Sequence, residues 1–190
     1  MGDDTVKIIL IECAKTELSQ GSRCDSEGFM QAVEQERTEG IAPIFVTRHN
    51  ASGYVIYTGT SRAAMETAEA LFSFECPPER TPLLDDVPLA PFMETKKQYP
   101  LWFWYVMGRL QWRMGSKRQS ETRAAVKQRA GELIDQIECG GGDCVLITRG
   151  LCLKALRDTL YRRGYCIQGG NYRIKPLDRI RATKQTIHCG

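Results

Sequence analysis

The chain has 190 residues, 42% apolar and 26% charged, with a formal net charge of +3. These values are those of a soluble globular protein, and the length suits one α/β domain, residues 1–190, around a single sizeable core. No apolar run approaches the roughly 18 residues that cross a membrane, and the acidic start MGDDTVK turns directly into a strand pattern, so neither a membrane span nor a signal peptide is expected.

The first predicted element is the apolar strand within KIILIECAKTE (7–17), which stops at a polar turn. Asp25-Ser26 then caps a helix over 27–38 that keeps Phe29, Ala32 and Val33 on one face, and Gly40 ends it. IFVTRHNASGYVIYTG reads as two β runs around a hairpin-like turn at 50–53, with the second run, 55–58, the better core strand. An amphipathic helix follows over 61–72. Residues 76–100 hold six of the eight prolines, so they read as a long irregular connection. The aromatic segment LWFWYVMGRLQW (101–112) contains all three tryptophans. A long helix capped by Ser120 is expected over 120–139 and is stopped by the glycines at 140–142. Strand 144–148, a helix over 151–163 and a β region near 172–177 complete the chain. Strands alternating with helices imply right-handed βαβ units and a largely parallel sheet covered on both faces.

Eight cysteines are the compositional oddity. Cys13, Cys144 and Cys152 lie in or beside core-type segments, where a free thiol behaves as a small hydrophobe, and with no export signal they are read as reduced and the protein as cytoplasmic. Cys139 and Cys144 are too far apart in sequence for a CxxC pair, and no metal site or cofactor is expected. Charge is uneven. Residues 149–190 carry ten Lys/Arg against two acids, which reads either as a solvated basic face or as attraction to a phosphorylated ligand or nucleic acid.

Three segments carry the functional signal: KIILIECAKTE, then VIYTGTSRAAMETAEAL, then CVLITRG. In this order and spacing they resemble the histidine phosphatase (phosphoglycerate-mutase-like) superfamily, whose members carry LVRHGET, SSPLxRAxQTAE and VSHG. The resemblance implies a three-layer α/β sandwich with a mostly parallel central sheet flanked by helices. It also implies a phosphohistidine chemistry, with one histidine attacking phosphorus, arginines and a second histidine holding the phosphoryl oxygens, and an acid protonating the leaving group.

On this resemblance the RHG motif falls on Glu12-Cys13-Ala14, followed by Lys15. Glu12 reverses the charge of the first arginine, and Cys13 stands where the nucleophile would be. Arg62 keeps the arginine of the second motif, Arg149 replaces the histidine of the third, and Asp86 is the match for the acid, with Asp85 one residue away. Both catalytic histidines are therefore replaced. The chain's own two, His49 and His188, lie in a turn and two residues from the end, and both read as solvated side chains.

A Cys13 thiolate would need a lowered pKa, which Arg62, Arg149 and Lys15 favour and Glu12 opposes. No cysteine heads the C-x5-R loop of tyrosine phosphatases. Arg62 and Arg149 at one sheet edge, beside helix N-termini, make an anion site; the competing arrangement pairs either arginine with Glu12 or Asp86. Trp102, Trp104 and Trp112 form either an apolar wall for an organic ligand or a core or dimer-interface stripe. There is no GxGxxG, Walker A or HExxH motif.

Three functions compete. The first is a non-catalytic member binding a phosphorylated or acidic small molecule, or a protein partner, in the old pocket through Arg62, Arg149, Glu12 and Lys15. The second is an altered phosphoesterase using Asp86 as acid with Cys13 or water as nucleophile. Nucleic-acid binding ranks last, because only Tyr172 and a few arginines offer stacking. No membrane partner is expected.

Overall fold

A six-stranded sheet carries the molecule. The structure, a computed structural model, describes residues 6–17, 23–170 and 174–184. In chain order the elements are β1 (Lys7–Glu12), β2 (Arg23–Cys24), α1 (Ser26–Thr38), β3 (His49–Asn50), β4 (Val55–Thr58), α2 (Arg62–Leu71), β5 (Phe72–Ser73) and β6 (Glu79–Arg80). They continue as a 3-10 turn (Pro82–Leu84), β7 (Tyr99–Pro100), α3 (Leu101–Arg113), α4 (Arg123–Gly140), β8 (Cys144–Thr148), α5 (Gly150–Arg162), β9 (Cys166–Gly169) and β10 (Arg179–Thr183). The main sheet has the order β6-β4-β8-β1-β10-β9. The β6–β4, β4–β8 and β8–β1 pairs are parallel, and β10 runs antiparallel to both of its neighbours. Only β10 is reversed, so the sheet is mostly parallel, as expected.

The faces follow from strand alternation. Ile8, Leu10, Cys144 and Leu146 point to one side, where they pack with Val126, Leu133 and Ile137 of α4 and Leu153 and Leu156 of α5. Ile11, Ile56, Val145 and Ile147 point to the other, against Ala64, Ala68 and Leu71 of α2. A third cluster, Phe29, Leu89, Leu101 and Trp104, joins α1 to α3. Strand β8 is buried at all five residues, which is why it reads as an unbroken apolar run rather than an alternating one.

Caps explain most helix boundaries. Asp25 accepts from the Gly28 amide at 3.0 Å and starts α1. Ser61 caps α2 by accepting from the Ala64 amide at 3.4 Å. The cap of α4 is Thr122, accepting from Ala125 at 3.2 Å, and not Ser120, whose hydroxyl donates to the Pro88 carbonyl at 2.8 Å. Gly141, at φ +68, takes the left-handed position that closes α4.

Two strand expectations are corrected. Residues 50–53 do not join a hairpin: β3 pairs in parallel with β5, while β4 pairs with β8 and β6. The polar turn remains, but two core partners outcompete the local one for β4. The last β region is not at 172–177. Tyr172 lies outside the described residues, Leu177 turns at φ +68, and the strand falls at Arg179–Thr183.

The tryptophans divide. Trp104 is fully buried, stacked on Phe29 with ring centroids 5.5 Å apart, and its indole N–H donates to the Cys24 carbonyl at 3.0 Å. Trp112 packs against the core, whereas Trp102 is exposed. Part of the basic C-terminal third is tied down: Arg163 bridges Asp135 and Glu138, and Lys184 also reaches Glu138.

Candidate functional site

Three neighbouring parallel strands, β4, β8 and β1, end side by side, with Glu12 opposite Thr148 and Thr58 opposite Ile147. Ligand sites of open α/β sheets form beyond such ends. Here they open into a cavity of about 350 Å³. Cys13, Thr148 and Arg149 come from the strand ends, Thr60 and Ser61 from the turn into α2, and Asp85 and Asp86 from the proline-rich connection. Glu36 and Arg37 of α1 and Tyr105 and Arg109 of α3 line the other side.

The turn after β1 is held from both sides. The Cys13 amide donates to the Thr148 carbonyl at 2.9 Å, and the Ala14 amide donates to the buried Thr67 hydroxyl at 3.1 Å. Cys13 is 3% exposed. Burial pushes its thiol up to about 12, Arg149 pulls it down, and Glu12 and Asp86 add to the rise. The burial that raises the thiol opposes the thiolate that a nucleophile at this position requires.

The N-terminus of α5 has no side-chain cap from Arg149, its N-cap residue. Two carboxylates from elsewhere in the chain serve it. Glu12 accepts from the Gly150 amide at 3.1 and 3.2 Å. Asp86 accepts from the Leu151 amide at 2.9 Å and the Cys152 amide at 3.2 Å. Helix N-termini attract anions, and the anions here are the protein's own. Gly150 stands at φ +52, and a Cβ there would meet the Asp86 carboxylate at 2.6 Å, so only glycine allows this approach. Burial, first of all, lifts Glu12 to about 7; Asp86 raises it further, while the Gly150 amide, Arg149 and Arg109 act in the other direction. Asp86 is also raised, again chiefly by burial.

The arginines are sorted by partner. Arg149 donates through Nη1 to Glu36 at 2.5 Å, and the Tyr105 hydroxyl donates to the other oxygen of Glu36 at 2.7 Å. Arg129 forks onto Glu121 at 2.7 and 3.1 Å and also donates to the Leu83 carbonyl at 2.8 Å. Asp85 is satisfied by the Thr60 amide and hydroxyl at 2.6 and 2.7 Å. Arg37 and Arg109 line the cavity with no hydrogen bond or ion pair among the described residues.

Several sequence-level placements change. Glu12, Cys13, Asp86 and Arg149 do meet at one place. Glu12 and Asp86 bond to helix amides rather than to arginines, and Arg149 pairs with Glu36 instead. Arg62 does not enter the cavity: its Nε donates to Glu66 one helical turn on, at 2.6 Å, with the side chain 65% exposed. The same Glu66 accepts from the Ile41 amide at 2.8 Å, so it anchors the loop after α1 and draws Arg62 outward. Lys15 is exposed and does not line the cavity. His49 is exposed in β3, away from the cavity, and His188 lies outside the described residues.

Sequence reasoning missed Arg37, Glu36, Tyr105 and Arg109. Tyr105 and Arg109 are one turn apart on α3, a spacing visible in the aromatic segment once it is read as a helix. Glu36 and Arg37 carry no local signal, because their role depends on where the end of α1 packs. Among the described residues no group of three or more His, Cys, Asp or Glu is placed to hold a metal ion.

No protein-family profile matches the sequence, and no curated protein matches it. Solved structures do. The chain is similar to phosphoserine phosphatase from Entamoeba histolytica in complex with 3-phosphoglyceric acid, with TM-score 0.53 and 13% identity over 93% of this chain and 89% of that one. A mutant of that enzyme in complex with phosphoserine gives TM-score 0.50 and 14% identity over the same shares, 93% and 89%. A mycobacterial glucosyl-3-phosphoglycerate phosphatase complexed with VO3 gives TM-score 0.49 and 12% identity, covering 95% of this chain and 99% of that one. At these identities the likeness to the two phosphoserine phosphatase structures shows the fold alone: this chain has their phosphoglycerate-mutase-like α/β architecture.

Proposed function

We propose that this histidine-phosphatase fold binds a small organic anion, a phosphate ester or a carboxylate, without transferring a phosphoryl group. The observation that carries the reading is the pair of arginines, Arg37 and Arg109, which line the cavity with no hydrogen bond or ion pair among the described residues. Guanidinium groups that line a concave site and make no internal bond are suited to a carboxylate or phosphate, which they bind bidentately. The phosphoryl position that the motif resemblance implies is poorly suited to the same anion. Glu12 and Asp86 already occupy the amides of α5, and Cys13 is a thiol whose pKa burial raises. The ligand anion therefore sits towards α1 and α3, away from the strand ends.

A second reading rests on Asp86. Asp86 stands at the cavity wall and burial raises its carboxyl above the usual carboxylate range, the direction a proton donor to a leaving oxygen requires, so hydrolysis by an attacking water is the activity to test against binding alone.

A thermal-shift screen with phosphate, vanadate, phosphate esters and small carboxylic acids separates these readings when run beside Arg37→Ala and Arg109→Ala. A ligand at 100 times its dissociation constant contributes roughly 2.7 kcal/mol, a rise of about 5–10 °C for a chain of this size. The shift is expected in the parent protein and lost in both variants, with no phosphate released from the esters. No shift with any compound sinks the binding reading. Phosphate release that is abolished in Asp86→Asn establishes the second.

A further inference from the structure

Helix α3 is apolar on both sides. Leu101, Trp104 and Gly108 face inward and are buried, yet Trp102 (58% exposed), Val106 (51%), Leu110 (46%) and Met114 (69%) face outward. These four recur every fourth residue, so they form one stripe about 18 Å long. A surface helix that packs on one face ordinarily carries polar residues on the other, so among the described residues this stripe is an uncovered contact surface.

The charge along its own stretch of sequence has one sign. Residues 95–120 contain six Lys/Arg and no Asp or Glu. Lys96 and Arg118 are drawn to Glu27 and Glu94, at 3.7 and 3.4 Å. Lys97, Arg113 and Lys117 have no ion pair among the described residues, and Arg113 lies one residue from Met114 at the end of the stripe. An apolar stripe with a tryptophan at one end and an uncompensated basic rim is the pattern of a helix that lies in the interface of an anionic bilayer. Four half-exposed side chains fall well short of the roughly 800 Å² per partner that a stable dimer buries. A lipid surface sets no such threshold, because the acyl boundary conforms to whatever apolar area is offered.

We propose that the outer face of α3 docks on anionic lipid, with Trp102, Val106, Leu110 and Met114 at the acyl boundary and Lys97, Arg113 and Lys117 on the headgroups. No helix among the described residues is long and apolar enough to cross a membrane. Lying on one requires no such length, and the proposal revises the expectation of no membrane partner. It is independent of what the cavity binds, although the same helix contributes half-buried Tyr105 and exposed Arg109 to that cavity.

The test is cosedimentation of the full chain with phosphatidylcholine vesicles, with and without phosphatidylserine, at low and high salt. Emission of Trp102, the exposed tryptophan, is followed in parallel. Binding is expected only with phosphatidylserine, with a blue shift, and is expected to weaken at high salt. Arg113→Glu combined with Lys117→Glu should weaken it by more than about tenfold. Val106→Asp with Leu110→Asp should abolish it, and Trp102→Ser provides a milder variant whose fold is checked by its melting curve. Absence of binding to phosphatidylserine vesicles overturns the proposal, as does equal binding to both vesicle types or unchanged binding in the apolar variants. Dimerisation in size-exclusion chromatography that the apolar variants abolish would assign the stripe to a second copy and overturn it too.

Discussion

Glu12 and Gly150 meet where β1 ends and α5 begins: both oxygens of the Glu12 carboxylate lie on the Gly150 amide, at 3.1 and 3.2 Å. The chain thus places its own carboxylate on a helix N-terminus. Asp86 takes the next two amides. The helix dipole is served internally, with two carboxyl groups held close together in a partly buried place, where Asp86 adds to the rise of the Glu12 pKa.

That arrangement fixes the sign of a pH effect. Burial raises Glu12 from 4.5 to about 7. The folded protein therefore binds this proton more tightly than the unfolded chain does. Its contribution to stability is fully present below the unfolded value and is lost as pH rises through about 7. Asp86, also raised, acts in the same direction. Urea unfolding at about pH 5 and about pH 8 should show lower stability at the higher pH, by up to on the order of 3 kcal/mol. Glu12→Gln keeps an acceptor for Gly150 but does not ionise, so it should flatten the difference. An unchanged pH dependence in this variant would place the titration elsewhere.

Glu36 gathers the hydroxyl of Tyr105 and the guanidinium of Arg149. Glu36→Ala leaves that partly buried arginine unpaired, and a loss of about 1–3 kcal/mol in denaturant unfolding is expected. The same change frees Arg149 for an external anion, so phosphate should stabilise the variant more than it stabilises the parent. Thermal melts with and without phosphate check both halves. A variant that is destabilised yet indifferent to phosphate would make Arg149 purely structural.

Cysteine reactivity should follow burial. Cys13, 3% exposed and pushed up to about 12, should resist iodoacetamide in the native protein near neutral pH. Cys76, Cys139 and Cys166 are exposed and should be labelled. Peptide mass spectrometry after brief alkylation distinguishes them. Rapid modification of Cys13 in the folded state would restore it as a candidate nucleophile.

Arg62→Ala should matter little. Its ion pair with Glu66 is an exposed pair one turn apart on a helix, worth about 0.3–0.5 kcal/mol. Any anion-induced thermal shift should survive the substitution, since Arg62 lies outside the cavity lining. Loss of the shift in Arg62→Ala would bring this arginine back to the site.

Much of the fold was legible because local chemistry and tertiary packing agree. Strand β1 stands where an apolar run meets a polar turn, and β8 is apolar throughout because helices cover both of its faces. Helix α2 begins at Ser61 and α1 at Asp25, both ordinary N-caps. Legibility failed where two local signals competed. Ser120 and Thr122 are both capping residues, and the choice fell to Thr122 because the Ser120 hydroxyl found the Pro88 carbonyl. A turn at 50–53 invited a hairpin, but β4 had β8 and β6 to pair with.

By itself the sequence determined the residue types at the ends of the strands: a glutamate, a cysteine and an arginine at positions where the motif resemblance led one to expect arginine and histidines. It also determined the order of the elements that bring Glu12, Cys13, Asp86 and Arg149 together. The tertiary structure alone decided which charges neutralise one another. Glu36 lies 113 residues from Arg149, and Glu12 lies 138 residues from Gly150. Pairing across such separations leaves no periodicity or spacing to read, because side-chain partners are chosen by packing geometry and by the desolvation each charge must offset. For the same reason Arg62, which keeps its place in the motif, turned outward to Glu66, while Arg37 and Arg109, outside every motif, were left facing the cavity.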